Sequence, residues 1–130
     1  YPFFIHRKSN EPLALAALWS EWIHPEHGGT IHSFSIVTTV GNGMMSKIHN
    51  NPKLKEPRMP LILSDDMEEQ WLSSHSDFEK ELKELLNRND KVELEAHTVG
   101  KLRGKNYAGN IASIADEVKY MELETNELDF

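Results

Sequence analysis

The feature that most constrains the fold is one punctuated run, SFSIVTTVGNGMMSKIHNNPKLKEPRMPLIL, over residues 33–63. Its first eight residues alternate, so that Phe34, Ile36, Thr38 and Val40 share one face, as side chains two apart do on a strand. Gly41-Asn42-Gly43 ends that strand with turn residues. MMSKIH, residues 44–49, suits a short helical turn. A basic detour flanked by prolines follows, and PLIL, residues 60–63, is short and apolar enough to be a buried strand. The loop therefore carries a histidine, His49, at one mouth and an arginine, Arg58, at the other. Each stands beside a segment that reads as buried.

The rest of the chain is cut into similar short pieces. FFIHR at 3–7 reads as a strand, and Ser9-Asn10-Glu11-Pro12 as a turn. LALAALWSEW at 13–22 is apolar enough to be buried on both faces, and its position between two turns favours a strand over a helix. The His24 to Gly29 loop then makes a hairpin connection to the alternating strand. Ser64-Asp65-Asp66 opens a helix whose early acids complement the amino-terminal dipole, with Met67, Trp71 and Leu72 as its apolar face. Ser76-Asp77-Phe78-Glu79 is a capping box for a second helix carrying Phe78, Leu82, Leu85 and Leu86 at helical spacing, ended by Asn87 to Asp90. KVELEAHTV at 91–99 alternates as a strand with Val92, Leu94 and Ala96 inward. Ile111, Ile114, Ala115 and Val118 mark a last short helix. Residues 120–130 form an acidic end that needs a groove for Met121, Leu123 and Leu128 to be ordered. Strands grouped together, with helices set apart, place the chain in the α+β class.

Length and composition set the outer bounds. A chain of 130 residues, 38% hydrophobic and 27% charged, suits a single soluble globular domain with a real core. No apolar run approaches membrane-spanning length, and no signal peptide is visible. The chain opens without methionine inside what reads as a strand, and we expect it to be the later part of a longer protein. Cysteine is absent, so a disulfide, a zinc–thiolate site or a thiol nucleophile cannot come from these residues. The net charge of −7 speaks against indiscriminate coating of nucleic acid. The charges are nevertheless segregated. Lys47, Lys53, Lys55 and Arg58 face only Glu56 within residues 41–60, and Lys101, Arg103 and Lys105 have no acid beside them. These islands form either one local anion site or two unrelated solvated loops.

Candidate chemistry is sparse. His24, His27 and His32 lie in and near a loop that leaves their geometry unrestrained, and no further ligand stands at a recognisable spacing, so no metal is expected. His97 reads as a strand histidine satisfied by its neighbours. Gly41-Asn42-Gly43 can bring backbone N–H groups to an anion but is, taken alone, a turn. Trp19 and Trp22 suit base stacking, or more commonly a core edge, and Trp71 suits a core. His49 stands out by its company. An imidazole exchanges protons near neutral pH, and Arg58 is a planar fork suited to phosphate. Thr38, Thr39 and Asn42 add polar groups upstream.

These residues also carry a resemblance. TTVGNGMMSKIHN followed by RMPLIL is similar to the signature of the SRAP family, the SOS response-associated peptidases: Thr-Thr-x-x-Asn, a methionine, Ile-His, Asp or Asn, then Arg-Met-Pro and an aliphatic strand. YPFFIHRKSNEPLALAALWSEW resembles the family's aromatic strand, turn and second strand, and HTVGKL at 97–102 its late Pro-Val-Ser segment. The resemblance implies an SRAP-like fold: a β-rich, mixed or antiparallel, barrel-like sheet core with a few flanking helices, with residues 1–130 as the later part of one domain. It also implies a partner, single-stranded DNA containing abasic sites. In the family an amino-terminal cysteine attacks the open sugar aldehyde through its α-amine, and its thiol closes a thiazolidine ring; the amino terminus is matured by self-processing. The resemblance assigns proton transfer to His49 and DNA contacts to Thr38 and Arg58, with Asn42 and Lys47 as further DNA-binding candidates. It implies no cofactor, no metal and no membrane. A monomer is expected, cytoplasmic and nucleoid-associated on DNA if bacterial, completed by an amino-terminal segment of the same protein. The alternative is a binding module that keeps the fold without the reaction. Two features depart from the pattern. Asn51 to Pro57 is inserted between the histidine and the arginine, and neither the cysteine nor the Glu-Trp element before the aromatic strand lies in these residues.

Overall fold

The computed structural model describes residues 1–49, 51, 53–73, 78–87, 91–105, 107 and 109–124, with the backbone alone for Phe78, Glu79, Glu81 and Glu124. Its elements are β1 (Phe3–Arg7), β2 (Ala14–Leu15), β3 (Ala17–Ile23), β4 (Thr30–Ile36), β5 (Thr38–Val40), α1 (Gly43–Ile48), β6 (Arg58–Pro60), β7 (Ile62–Leu63), α2 (Asp65–Leu72), α3 (Phe78–Leu86), β8 (Leu94–Thr98), a 3-10 helix (Ala112–Ala115) and α4 (Met121–Glu124). The α+β class expected from the sequence is the class observed. The strands form four antiparallel ribbons, β1–β8, β2–β7, β3–β4 and β5–β6. The chain divides into two compact units, one made of residues 1–12 and 93–130, the other of residues 13–92.

In the first unit β1 pairs with β8 from Phe3↔Thr98 to Arg7↔Leu94. Glu93 and Glu95 are exposed while Val92, Leu94 and Ala96 are half-buried, so the alternation read from 91–99 holds, over a shorter strand. The segment after the 3-10 helix returns to β8. The Val118 N–H donates to the Thr98 carbonyl at 2.8 Å, and the Tyr120 hydroxyl donates to the Val99 carbonyl at 2.9 Å. Val118 thus lies outside the last short helix expected for it, and both Val118 and Ile111 are exposed. Held in extended backbone by Thr98, Val118 cannot join a helical face. Met121 in α4 is 77% exposed, so the groove expected to receive it is not formed around it; Leu128 lies outside the described residues.

The second unit is organised by a ring of three backbone hydrogen bonds. Ala16 donates to Leu61, Leu61 to Val37, and Val37 back to Ala16, each at 2.9 Å. Each of these residues sits where a longer strand changes partner: Ala16 between β2 and β3, Val37 between β4 and β5, Leu61 between β6 and β7. Three ribbons therefore leave one node. This is why 13–22 and 33–40, each continuous by pattern, are interrupted in the fold. Ala16 and Leu61 are fully buried, which a small residue at 16 permits where three backbones converge. The core continues through Leu63, Met67 and Leu85, with Ala14, Val37, Trp71 and Leu86 packed around it.

PLIL is buried as expected, and α2 begins where Ser64-Asp65-Asp66 predicts. Its first turn holds Asp65, Asp66 and Glu68, and the Ser64 hydroxyl bonds Asp66 rather than a helix N–H. Met67 faces the core, but Leu72, expected on the same apolar face, is 82% exposed; it ends the helix, one residue past Trp71, which takes the core side. In α3, Leu85 is buried and Leu82 and Leu86 half-buried. Ser76 and Asp77 of the expected capping box, and residues 88–90 expected to end the helix, lie outside the described residues. The largest departure is β3, expected to be buried on both faces. Leu18, Trp19 and Trp22 are 50%, 72% and 50% exposed, because β3 and β4 leave the node as a ribbon paired with each other and with no other described strand.

Candidate functional site

The site grows from the Thr38–Val40 strand and the two segments tied to it. Asn42 caps α1: its side-chain oxygen accepts the Met45 N–H at 2.9 Å. An asparagine there satisfies one of the donors that every helix start leaves open. Gly41 before it must be small. A Cβ at that position would lie 3.3 Å from the Cβ atoms of both Met45 and Pro57. The Gly41 N–H donates to the Pro57 carbonyl at 2.8 Å. α1 ends at His49, whose N–H donates to the Met45 carbonyl.

The inserted loop leaves from His49 and returns at Arg58, and its ends are pinned together. Val40 pairs with Arg58 in the β5–β6 register. The Arg58 N–H donates to His49 Nδ1 at 3.5 Å. The Arg58 side chain then reaches across the ribbon to Thr38. Its Nε donates to Thr38 Oγ1 at 3.1 Å, and its Nη2 to the same hydroxyl at 3.0 Å and to the Thr38 carbonyl at 2.5 Å. Arg58 itself stands in the β5–β6 register opposite Val40. With Nδ1 accepting, the neutral His49 ring carries its proton on Nε2.

Beside this ribbon lies an open groove of about 700 Å³, lined by residues 38–43, Arg58, Leu86 and Asn87. The far wall is the end of α3, joined to the ribbon by the Thr39 hydroxyl, which donates to the Leu86 carbonyl at 3.5 Å. Of the five residues singled out from sequence, Thr38, Asn42 and Arg58 line the groove. His49 is half-buried and reaches the site through the Arg58 backbone rather than as part of the lining. Lys47 is exposed in the last turn of α1, away from the lining. Leu86 and Asn87 had no signal in the sequence: more than forty positions separate them from Thr38, and tertiary packing alone makes them neighbours.

The remaining histidines have other company. His24 and His27 stack at a centroid distance of 3.8 Å on the hairpin tip, and His32 lies 3.2 Å from a Glu21 oxygen across the ribbon. Among the described residues no group of three or more His, Cys, Asp or Glu is placed to hold a metal ion. His97 Nε2 meets the Ala115 carbonyl at 2.8 Å, as a structural strand histidine does.

Comparison with known proteins gives the family. The family model for SOS response associated peptidase (SRAP) matches residues 1–105. The chain belongs to the SRAP family. Two relatives in Bacillus subtilis (strain 168) are the abasic site processing proteins YoqW, 35% identical over 101 residues, and YoaM, 33% identical over 101 residues. The match covers 78% of this chain but 42% of YoqW and 41% of YoaM. An X-ray structure of a Bacteroides thetaiotaomicron protein superposes with a TM-score of 0.67 at 25% identity, over 91% of this chain and 48% of that one. This SRAP chain thus spans less than half the length of the relatives it matches. The residues lining the groove, 38–43, Arg58, Leu86 and Asn87, all fall inside the residues matched by the family model.

Proposed function

We propose that this SRAP chain contributes the DNA-facing groove of a protein that processes abasic sites in single-stranded DNA, as a monomer and without a cofactor. What supports the reading most is one chain of contacts, Thr38 to Arg58 to His49, at the edge of a groove in a chain related to abasic site processing proteins. Arg58 places a permanent charge on the groove for a phosphate, and Thr38, Asn42 and Asn87 offer hydrogen bonds for sugar or base edges. Open space beside a strand suits a nucleotide without a base, which leaves the stack at little cost.

In this reading His49 is the acid–base group. As an imidazolium it gives a proton to the sugar ring oxygen while the proton of the C1 hydroxyl passes to water, and the ring opens to the aldehyde. A cysteine amine then adds to the aldehyde carbon and expels water, giving an imine. The neighbouring thiol adds across the C=N bond, its sulfur to carbon and its proton to nitrogen, closing a thiazolidine. An α-amine titrates near pH 8, so a useful share is free base at neutral pH. The cysteine, which self-processing would expose at the amino terminus, is supplied by sequence outside these 130 residues.

The test is crosslinking of the full-length protein to an oligonucleotide with a single abasic site. His49→Ala should slow crosslink formation by roughly a hundredfold or more, the range for loss of a general acid or base. Equal rate, yield and reversal in both proteins would remove His49 from the mechanism. Retention of the oligonucleotide with no covalent product in either would establish a binding module instead.

A further inference from the structure

The polar side chains that line the groove differ in what they have left to offer a ligand. Arg58 spends Nε and Nη2 on Thr38, and its remaining N–H groups are donors only. The Thr38 hydroxyl accepts twice from Arg58, which leaves its own O–H as a donor. Thr39 gives its proton to the Leu86 carbonyl and keeps lone pairs alone. The Asn42 side-chain oxygen is taken by the Met45 N–H, so its NH2 group remains. Asn87 is different. It is exposed on the far wall. Its backbone N–H is bonded to the Lys83 and Glu84 carbonyls, while its side chain makes no hydrogen bond among the described residues. Of the side chains lining the groove, Asn87 alone presents a free donor and a free acceptor together.

Its position selects what it meets. Asn87 directly follows α3, and a helix ends on carbonyl groups that carry partial negative charge. The cation of that last turn, Lys83, is not part of the lining. A phosphate is therefore disfavoured at this wall and favoured at Arg58, while an amino group is favoured at the end of α3. An amide holds a base edge by two bonds when that edge sets a donor beside an acceptor. Adenine does so with N6–H and N7, the usual partners of asparagine, and again with N6–H and N1. Thymine and guanine set a carbonyl where adenine has its amino group. Cytosine has one such edge, and a smaller ring to lay against the half-buried Leu86.

We propose that Asn87 is a specificity-determining residue: it holds the base next to the abasic position by its edge and favours adenine there, while Arg58 holds a phosphate. The proposal rests on the reading of the groove as a site for single-stranded DNA, and adds to it a preference for sequence context.

The experiment follows binding of the full-length protein by fluorescence anisotropy at fixed salt. Each single strand carries one tetrahydrofuran abasic analogue, which has no aldehyde and so reports binding without crosslinking. The nucleotide on its 5′ or its 3′ side is adenine, thymine, or unsubstituted purine, which keeps N7 and the ring area without the amino group. The parent should bind the adenine strand about tenfold tighter than the other two on one of the sides. Asn87→Ala and Asn87→Leu, the second keeping the branched shape, should each bind the three strands alike. Both should keep the parent's denaturant midpoint, because the backbone N–H of residue 87 and not its side chain closes the helix. A parent that does not favour adenine on either side, or a preference that survives both substitutions, would overturn the proposal. Binding without such a preference rejects this inference alone. Absence of binding to every strand rejects the proposed function with it. A preference for adenine lost in both variants, with no crosslinking of the parent to a true abasic site, keeps the inference and rejects the reaction.

Discussion

Arg58 shows how much one side chain can organise. Its backbone holds the β5–β6 register and meets His49, while its guanidinium bonds the Thr38 hydroxyl and carbonyl. Lysine would keep the charge and lose the planar fork. Arg58→Lys should therefore weaken binding to an abasic oligonucleotide by about tenfold, in line with a net value of about 1.5 kcal/mol for hydrogen bonds to a charged group. Fluorescence anisotropy at fixed salt measures this, and unchanged affinity would mean that charge alone matters there. Asn42 separates folding from binding. Asn42→Ala removes the helix cap and should lower stability by about 1 kcal/mol, read from the denaturant midpoint. Asn42→Asp keeps an accepting oxygen for the Met45 N–H, so stability should hold while DNA affinity falls, because the new charge faces phosphate.

At the scale of elements, the node of Ala16, Val37 and Leu61 is the structural centre of the second unit. Each of these residues lies between two short strands, and the ring of hydrogen bonds leaves a space that only a small side chain at 16 fills. Ala16→Leu should overpack it and cost about 1–3 kcal/mol, seen as a lower unfolding midpoint. One position away a leucine is accommodated: Leu15 is 39% exposed. The α1 turn, the loop and β6 form a second such unit. Pinning of the loop ends by Gly41 to Pro57 and by Arg58 to His49 holds Arg58 in the β5–β6 register after the seven residues from Asn51 to Pro57. Loop length costs little once the ends are fixed.

For the whole molecule, the acidic net charge and the basic side chains between Lys47 and Arg58 act in opposite directions on DNA binding. If Lys47 contacts a phosphate, Lys47→Ala should lower the slope of log affinity against log salt by about 0.7, the single-strand value for one contact. A slope equal to that of the parent would place Lys47 outside the footprint. The contrast with Asn42→Asp is useful, since a charge added beside the groove changes affinity without removing a phosphate contact. Much of this was legible in the sequence. The turn at 41–43, the short helix to His49, the buried PLIL strand, the opening of α2 and the hairpin through His24–Gly29 all follow from local chemistry, because glycine, asparagine, proline and alternating apolar residues constrain the backbone where they stand. The motif from Thr38 to Leu63 likewise identified the family.

What local pattern could not supply was partnership. The run at 13–22 reads as buried because it is apolar, yet burial depends on what lies against it, and among the described strands β3 pairs with β4 alone. The continuous alternation of 33–40 conceals the exchange of partners at Val37, since a strand's side chains alternate regardless of which strand bonds it. Leu86 and Asn87 entered the groove wall through the packing of Leu85 and the Thr39 contact, a juxtaposition of segments far apart in the chain. The sequence by itself determined where most elements lie and which chemical groups are available, since these depend on residues a few positions apart. Only the tertiary structure decided which groups meet, because hydrogen bonds and contacts between distant segments are set by how the backbones converge at the node.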